Sequence, residues 1–268
     1  MDDVTQEIKI AHISDLHFGK IQSRDLLTAL RQDVNNYNLD LIVVTGDHTQ
    51  RSRRREWLQA RGFMKSLKSP LLAVQGNHDI PPYWEPFSRL VYSRARFDHY
   101  LGDLATDLFI IRDIIFVGID SIDPRKTTGG TVDSKSLMER IHRLLSERSL
   151  YKLVLCLHHP LYDYSCSQAP GIVADYDHLV SQLAGSGCSM VLHGHLHQSL
   201  SAIEKTTYGP VLHICAGTAT SSRSRETLLP RQSYNLISFR QSEVEVDQRG
   251  YNPGFKRFES FKTFTSIW

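Results

Sequence analysis

Three short apolar runs open the chain, and two stretches with helical spacing separate them. The runs Ile8–Ile13, Leu41–Thr45 and Leu71–Val74 are rich in Val, Ile and Leu, which is typical of strands buried on both faces of a sheet. Between them lie a helix that Ser23 can N-cap and a second helix over Glu56–Leu67. Because right-handed crossovers of this length pair strands in parallel, the loops after the strands should meet at one sheet edge, where open α/β sheets bind ligands.

The middle of the chain departs from this alternation. Residues 80–106 start with a Pro-rich stretch and continue with Tyr and Arg, and we expect an irregular insertion that acts as a lid or specificity loop over the site. Leu108–Ile119, broken at Arg112 and Asp113, predicts a hairpin, and Ser134–Leu145 predicts an amphipathic helix. The alternation then resumes with a strand at Leu153–Leu157, a helix at Tyr176–Leu183 and a strand at Ser189–His193.

The C-terminal third reads as strands with short connections. We expect an antiparallel second sheet from the runs Leu200–Ile203, Val211–Ala216, Leu236–Phe239 and Val244–Val246. In the tail, residues 250–268, four Phe recur every third residue from Phe255 to Phe264, which suggests an aromatic helical face that docks on the body of the protein or on a second copy in a homodimer. Residues 1–268 as a whole predict one α/β domain, a four-layer α-β-β-α sandwich of two mixed sheets with helices outside.

Composition narrows the class of protein. With 268 residues, 41% of them hydrophobic, the chain can bury a large core. Its 31 Lys and Arg against 29 Asp and Glu give a net charge of only +2, which argues against extensive nucleic-acid binding. No apolar run is long enough for a transmembrane helix and no signal peptide is recognisable, so we expect a cytoplasmic protein. The four cysteines have no CxxC spacing and are expected to be reduced packing residues: Cys156, Cys166, Cys188 and Cys215.

Five polar clusters carry the candidate chemistry, and four of them directly follow a predicted strand. They are Asp15-Leu16-His17, Gly46-Asp47, Gly76-Asn77-His78-Asp79, His158-His159-Pro160 and Gly194-His195-Leu196-His197. In an extended chain, residues i and i+2 project to the same side, so each DxH or HxH pair can present two ligands together. The neighbouring glycines permit sharp turns and close approach to an anion.

Carboxylate, amide and imidazole ligands suit borderline or hard divalent ions such as Mn, Fe, Zn, Ni or Mg. One carboxylate can bridge two such ions, and a pair of ions held this way promotes in-line displacement at phosphorus. The order of the clusters along the chain therefore predicts a metal centre.

The blocks ISDLH, GDHTQ, GNHD, HHP and GHLH resemble the five signature motifs of the calcineurin-like metallophosphoesterases, over about Lys9 to Ala219. The resemblance implies two divalent metal ions with Asp47 as the bridging ligand. It assigns one ion to Asp15, His17, Asp47 and His197, and the other to Asp47, Asn77, His158 and His195. By the same resemblance, a metal-bridging hydroxide attacks phosphorus, Asn77 places the phosphate, and His78 stabilises the transition state and protonates the leaving oxygen.

Several roles stay open from the sequence. We favour His158 over His159 as a ligand because His158 directly follows the strand. Asp79 either orients His78 or caps the next segment. His48 replaces the usual apolar residue after the bridging Asp, and its contact with substrate is undecided.

Two arginines, Arg223 and Arg225, are candidates for binding the substrate phosphate or base. His12 and His193 lie within strands, and we expect them to pack or form hydrogen bonds rather than bind a metal.

The details of the motifs favour a phosphodiesterase. GNHD and GDHTQ differ from the corresponding blocks of the protein Ser/Thr phosphatases and the purple acid phosphatases, and they are most similar to those of the bacterial cyclic-nucleotide phosphodiesterases. We expect hydrolysis of a cyclic nucleotide or a similar small diester. The alternatives are a metal-dependent DNA nuclease, because ISDLHFGK also resembles the opening of the DNA-repair exonucleases, and a catalytically silent metal-binding scaffold.

Overall fold

The computed structural model describes residues 7–146, 151–164, 171–227 and 229–268. The strands in these ranges are β1 (Ile8–Ile13), β2 (Leu41–Thr45), β3 (Leu71–Val74), β4 (Leu108–Ile111), β5 (Ile114–Gly118), β6 (Lys152–Cys156), β7 (Cys188–His193), β8 (Leu200–Thr206), β9 (Gly209–Cys215), β10 (Ser233–Arg240), β11 (Glu243–Asn252) and β12 (Arg257–Ile267). The helices are α1 (Arg24–Asn35), α2 (Arg54–Lys65), α3 (Pro86–Val91), α4 (Ala95–Leu101), α5 (Ser134–Leu145) and α6 (Tyr176–Gly185).

Two six-stranded mixed sheets are formed by the described strands. The first has the order β12-β11-β10-β1-β2-β3 and the second the order β4-β5-β6-β7-β9-β8. Their inner faces pack together through side chains such as Ile10 and Ile237 from the first sheet and Phe116 and Met190 from the second. Helices α1 and α2 cover the outer face of the first sheet, and α5 and α6 cover that of the second. The predicted four-layer α-β-β-α sandwich is confirmed.

The N-terminal βαβαβ unit forms as predicted. Strands β1, β2 and β3 pair in parallel, and the Ser23 hydroxyl accepts the Leu26 N–H at the start of α1. Helix α2 begins two residues earlier than expected and ends at Lys65, because the Glu56 carboxylate accepts the Arg53 N–H and fastens the first turn. The three strands therefore end at a common edge.

The predicted separate antiparallel sheet at the C-terminus is wrong. Strands β8 and β9 join the second sheet, where β9 is parallel to β7, whereas β10 pairs antiparallel with β1 and brings β11 and β12 into the first sheet. Seven of the eight residues of β10 are buried, as in a central strand. An apolar run predicts that a strand is buried but not which strand it pairs with.

The tail is a strand rather than the predicted helix. Strand β12 pairs antiparallel with β11, and of its aromatic residues Phe258 is 3% exposed whereas Phe261 is 43% exposed. The Thr and Phe content of this segment favours an extended chain over a helix. The tail thus docks on the body of the protein through backbone hydrogen bonds at the sheet edge.

The expected irregular insertion is instead helical. Helices α3 and α4 make up most of residues 86–101, and Phe97 and Leu101 of α4 are buried in the core that also contains Trp57. Helix α4 is therefore attached to the layer that covers the first sheet.

Cys156, Cys188 and Cys215 are buried free thiols, and Cys166 lies outside the described residues. None of the helices in the described ranges has the length and hydrophobicity that crossing a bilayer requires.

Candidate metal centre

The candidate ligands lie where strands of both sheets end. Asp15 and His17 follow β1, Asp47 follows β2 and Asn77 follows β3, while His158 follows β6, and His195 and His197 follow β7. The first three strands belong to one sheet and the last two to the other. The two sheets therefore bring seven predicted side chains, separated by up to 182 positions in the chain, to one place.

Four of these side chains form a first group, which consists of Asp15, His17, Asp47 and His197. The Nε2 atom of His17 lies 3.5 Å from Oδ1 of Asp15 and 3.5 Å from Oδ2 of Asp47. The Nε2 atom of His197 lies 3.0 Å from Asp15 Oδ1 and 3.0 Å from His17 Nε2. All four residues are buried, so the group is a compact pocket of nitrogen and oxygen ligands.

A second group lies on the other side of Asp47. The Nε2 atom of His158 is 3.5 Å from the same Oδ2 atom of Asp47 and 3.1 Å from Oδ1 of Asn77. The Nδ1 atom of His195 is 3.2 Å from Asn77 Oδ1 and 3.3 Å from His158 Nε2. One carboxylate oxygen of Asp47 is thus shared between the two groups.

In both groups, hydrogen bonds determine which ring nitrogen of a histidine is available to bind a cation. His197 Nδ1 lies 2.8 Å from the Arg223 carbonyl and His158 Nδ1 lies 2.7 Å from the Thr45 carbonyl, so both Nδ1 atoms must carry the proton and donate. Their Nε2 atoms therefore direct lone pairs into the groups. Oδ1 of Asp15 is buried and accepts no hydrogen bond from the described residues. A divalent ion in each group satisfies these lone pairs, so the donor set fits a pair of metals.

The electrostatics are consistent with cation binding at neutral pH. Burial favours the neutral acids, yet the neighbouring histidines hold the pKa values of Asp15 and Asp47 well below the ordinary range. Burial also opposes protonation of His158, but without a bound cation Asp47 and the hydrogen bonds raise the pKa of that imidazole to about 9, so a divalent ion that binds to Nε2 takes the place of this proton. Both carboxylates are therefore ionised and available as ligands.

The backbone at the ligands differs from the extended geometry that we expected. Asp15, His17, Asp47, His195 and His197 all have positive φ values, between 47° and 70°. Such left-handed conformations are uncommon outside glycine and cluster at functional sites. Of the three glycines that precede ligands, only Gly46 has a positive φ, 89°. Tight left-handed turns, rather than an alternating extended chain, thus direct these side chains into the groups.

Comparison with known protein families identifies the family of this chain. The sequence profile described as calcineurin-like phosphoesterase matches residues 8–199, most of the chain, and these residues contain all seven side chains of the two groups. The chain belongs to the calcineurin-like phosphoesterase family. It is accordingly a phosphoester hydrolase with a dinuclear divalent metal centre.

Individual relatives have low sequence identity to this chain, and those described below are phosphodiesterases or a phosphatase by name. The chain is 28% identical over 203 residues, 70% of either sequence, to the glycerophosphodiester phosphodiesterase GpdQ of Enterobacter lignolyticus. It is 24% identical over 207 residues, 73% of this chain and 72% of the relative, to the 3',5'-cyclic adenosine monophosphate phosphodiesterase CpdA of Haemophilus influenzae. Among solved structures, a dimetal phosphatase from Danio rerio shares the fold, with a TM-score of 0.65, 14% identity and coverage of 97% of this chain and 98% of that one.

His78 lies beside the first group of the phosphoesterase, with its ring centroid 5.0 Å from that of His17. Its Nδ1 atom lies 2.7 Å from the Gln50 carbonyl and must donate to it, since a carbonyl only accepts. Its Nε2 atom lies 2.8 Å from Nη1 of Arg223, and a guanidinium only donates. The ring is therefore held from both sides, and Gln50 and Arg223 fix its orientation.

Of the two candidate arginines, only Arg223 is brought to the site by a side-chain contact among the described residues. Arg225 is exposed, and its backbone N–H donates to the His197 carbonyl at 3.2 Å. The Arg223 carbonyl accepts the His197 Nδ1–H described above, so one residue contacts both a candidate ligand and His78.

Neither role expected for Asp79 accounts for the contacts of its carboxylate. The Asp79 carboxylate accepts the backbone N–H groups of His48, Thr49 and Gly76 at 2.8–3.1 Å, and the ring Nδ1–H of His48 at 2.9 Å. It therefore joins the loop after β2 to the loop after β3. His48 is fully buried by this bond and stacks on Trp57, so it does not face a substrate.

His159 lies closer to the second group than expected. A ring nitrogen of His159 falls within 4.8 Å of the ligand atoms of His158 and His195. Its Nδ1 atom bonds to the Ser121 hydroxyl at 2.9 Å, and its Nε2 atom is buried without a partner among the described residues. His159 is thus a neighbour of the second group, in contact with it but farther from the shared carboxylate.

Two further histidines behave as expected. His12 Nε2 bonds to the Thr45 hydroxyl at 3.0 Å, and His193 Nε2 bonds to the Tyr164 hydroxyl at 3.0 Å. Burial lowers the pKa of His12 to about 3, so the ring is neutral. Sequence reasoning missed Gln50, Thr45 and Ser121 as partners of the site histidines, because they act through backbone carbonyls or a common hydroxyl that no motif singles out.

Proposed function

We propose that this phosphoesterase hydrolyses small phosphodiesters, with cyclic nucleotides and glycerophosphodiesters as the substrate classes. The observation that carries the proposal is the arrangement around Asp47, whose Oδ2 atom lies 3.5 Å from both His17 Nε2 and His158 Nε2, with the His78 ring held beside the first group by Gln50 and Arg223. The names of the two relatives, both phosphodiesterases, support the same substrate class.

In this proposal the ligands of one ion are Asp15, His17, Asp47 and His197. The ligands of the second are Asp47, Asn77, His158 and His195. When bound, the ions activate water and withdraw charge from the phosphoryl oxygens.

Two side chains, those of Arg223 and His78, carry out the remaining steps of the proposed hydrolysis. The Arg223 guanidinium, 2.8 Å from His78, is within reach of a phosphate oxygen bound beside His78 and neutralises its charge. When the Arg223 guanidinium moves from His78 onto the phosphate, His78 Nε2 can take a proton from solvent and deliver it to the departing alkoxide, which is a poor leaving group without one. A diester carries a single negative charge, which the Arg223 guanidinium can balance.

The test compares bis(p-nitrophenyl) phosphate with p-nitrophenyl phosphate in the presence of Mn. We expect preference for the diester, loss of its hydrolysis after chelation, and loss in Asp47→Ala and Asn77→Ala. The matched control is His142→Ala, which removes an exposed histidine of α5 and should keep full activity. Preference for the monoester, or activity that survives thorough chelation, would contradict the proposal.

A panel of natural esters then narrows the substrate. Cyclic adenosine monophosphate, glycerophosphocholine and single-stranded DNA are assayed side by side with the same enzyme preparation. Hydrolysis of DNA in preference to both small diesters would favour a nuclease instead.

A further inference from the structure

A large apolar surface lies on α3 and its flanks, outside the metal centre. Six side chains there are 51–73% exposed: Tyr83, Trp84, Phe87, Leu90, Val91 and Tyr92. We name these six residues the α3 face. Monomeric proteins rarely expose so many large apolar side chains together, and larger patches of this kind mark protein or membrane interaction sites.

The α3 face is held outward by polar contacts on its inner side. The Arg89 guanidinium donates to the carbonyls of Pro81, Pro124 and Lys126 at 2.7–2.8 Å. Arg96 donates to the Ser52 carbonyl at 2.9 Å and pairs with Glu85 at 2.6 Å. These contacts fasten the start and the middle of the helix to the body, so the exposure of the face is built into the fold.

Positive charge is concentrated in the segment of the chain that carries the α3 face. Residues 51–100 contain ten Lys and Arg against four Asp and Glu, whereas the whole chain contains 31 against 29. A cleft of about 560 Å³ beside Trp84 is lined by Arg51, Arg53 and Arg54. None of these three arginines forms an ion pair with a residue in the described ranges. The apolar face is thus bordered by arginines whose guanidinium groups form no ion pair among the described residues.

We infer that the α3 face and the adjoining arginines dock on an anionic lipid bilayer. Phe87, Leu90 and Val91 supply side chains suited to the acyl boundary, and Tyr83 and Trp84 supply amphipathic rings that favour the headgroup level. Unpaired arginines beside them attract anionic headgroups. This inference is independent of which phosphoester the metal centre hydrolyses.

The charge and the side-chain types of this surface disfavour two other partners, a second copy of the chain and single-stranded nucleic acid. A second copy in a two-fold interface would bring the same arginine-rich surface against itself, and like charges repel. Single-stranded nucleic acid binds through stacking on aromatic rings, and the aliphatic Leu90 and Val91 at the helix end do not stack on bases. An anionic bilayer accommodates the aliphatic, aromatic and cationic parts together.

The test is co-sedimentation of the full chain with vesicles of phosphatidylcholine alone or mixed with phosphatidylglycerol. We expect binding to the mixed vesicles that weakens as salt is added. The double variant Phe87→Ser/Leu90→Ser should bind roughly tenfold more weakly or worse, since two apolar side chains no longer enter the interface. Arg51→Glu/Arg54→Glu should weaken binding by at least about fivefold. Phe255→Ser, an equally exposed aromatic residue at 69%, is the matched control and should bind like the parent.

Folding of each variant is checked by its thermal unfolding midpoint and by hydrolysis of bis(p-nitrophenyl) phosphate, which these surface changes should leave unaltered. Failure of the parent to bind either vesicle would overturn the inference. So would a change of elution volume from dimer to monomer in Phe87→Ser/Leu90→Ser, which would identify a second copy as the occupant. Binding of single-stranded DNA that this variant alone loses, without vesicle binding, would also overturn it.

Discussion

Arg223 donates a hydrogen bond to the ring of His78, with 2.8 Å between Nη1 and Nε2, although 145 positions separate the two residues. The loop that carries Arg223 also anchors His197 through its carbonyl oxygen. The side chain of Arg223 therefore contacts His78, while its backbone carbonyl orients the candidate ligand His197. The two contributions are separable by substitution, because a side-chain change leaves the carbonyl in place.

We predict that Arg223→Gln lowers kcat/KM for a diester by roughly tenfold to a hundredfold, the loss expected for one charge-assisted hydrogen bond. Metal content should stay unchanged, since the carbonyl that orients His197 remains. Steady-state kinetics and metal analysis measure both. Arg225→Gln, in the same loop but exposed, is the control and should retain activity. Equal effects of the two substitutions would show that general surface charge, not the contact with His78, matters.

The sequence was sufficient to find the side chains of the site because each follows a strand, and parallel strands end at a common edge. Asp15, Asp47 and Asn77 can be grouped in this way from the sequence alone. The partners of β10 and β12 could not, since alternation encodes burial and not the neighbouring strand. The role of Asp79 was also out of reach, because its partners His48 and Thr49 lie in a loop about thirty positions earlier.

The contacts of Asp79 make a prediction about stability. Asp79→Ala leaves the buried N–H groups of His48, Thr49 and Gly76 without their acceptor, and we expect unfolding free energy to fall by about 2 kcal/mol or more. Urea unfolding in the presence of Mn measures it. Asp98→Ala, which removes an exposed carboxylate paired with Arg94, should cost less than about 1 kcal/mol. Lost activity with unchanged stability would instead indicate that Asp79 orients His78.

The number of bound metal ions per chain can distinguish the roles of His158 and His159. His158 Nε2 lies 3.1 Å from Asn77 Oδ1 and 3.5 Å from Asp47 Oδ2, whereas His159 uses its Nδ1 atom to bond Ser121. We predict that His158→Gln loses one of the two ions and most of the activity, and that His159→Gln keeps both ions. Mass spectrometric metal analysis of dialysed protein measures this. Loss of an ion in His159→Gln alone would exchange the two assignments.

Gly76 offers a test of how closely the loops must approach for the centre to form. A Cβ atom at this position would overlap the Asp47 amide and its Oδ1 atom, and it would lie 2.8 Å from the Asp47 carboxyl carbon. The shared carboxylate would have to move, so Gly76→Ala should lose metal binding and hydrolysis together. Gly62→Ala is the matched control, because a Cβ there meets nothing within 4 Å, and within α2 it should stabilise the fold by roughly 0.5–1 kcal/mol. Titration with Mn, followed by calorimetry, compares the two variants. Metal affinity in Gly76→Ala equal to that of the parent would mean that the loop after β3 can shift without displacing Asp47, and that the two ligand groups do not depend on this close approach.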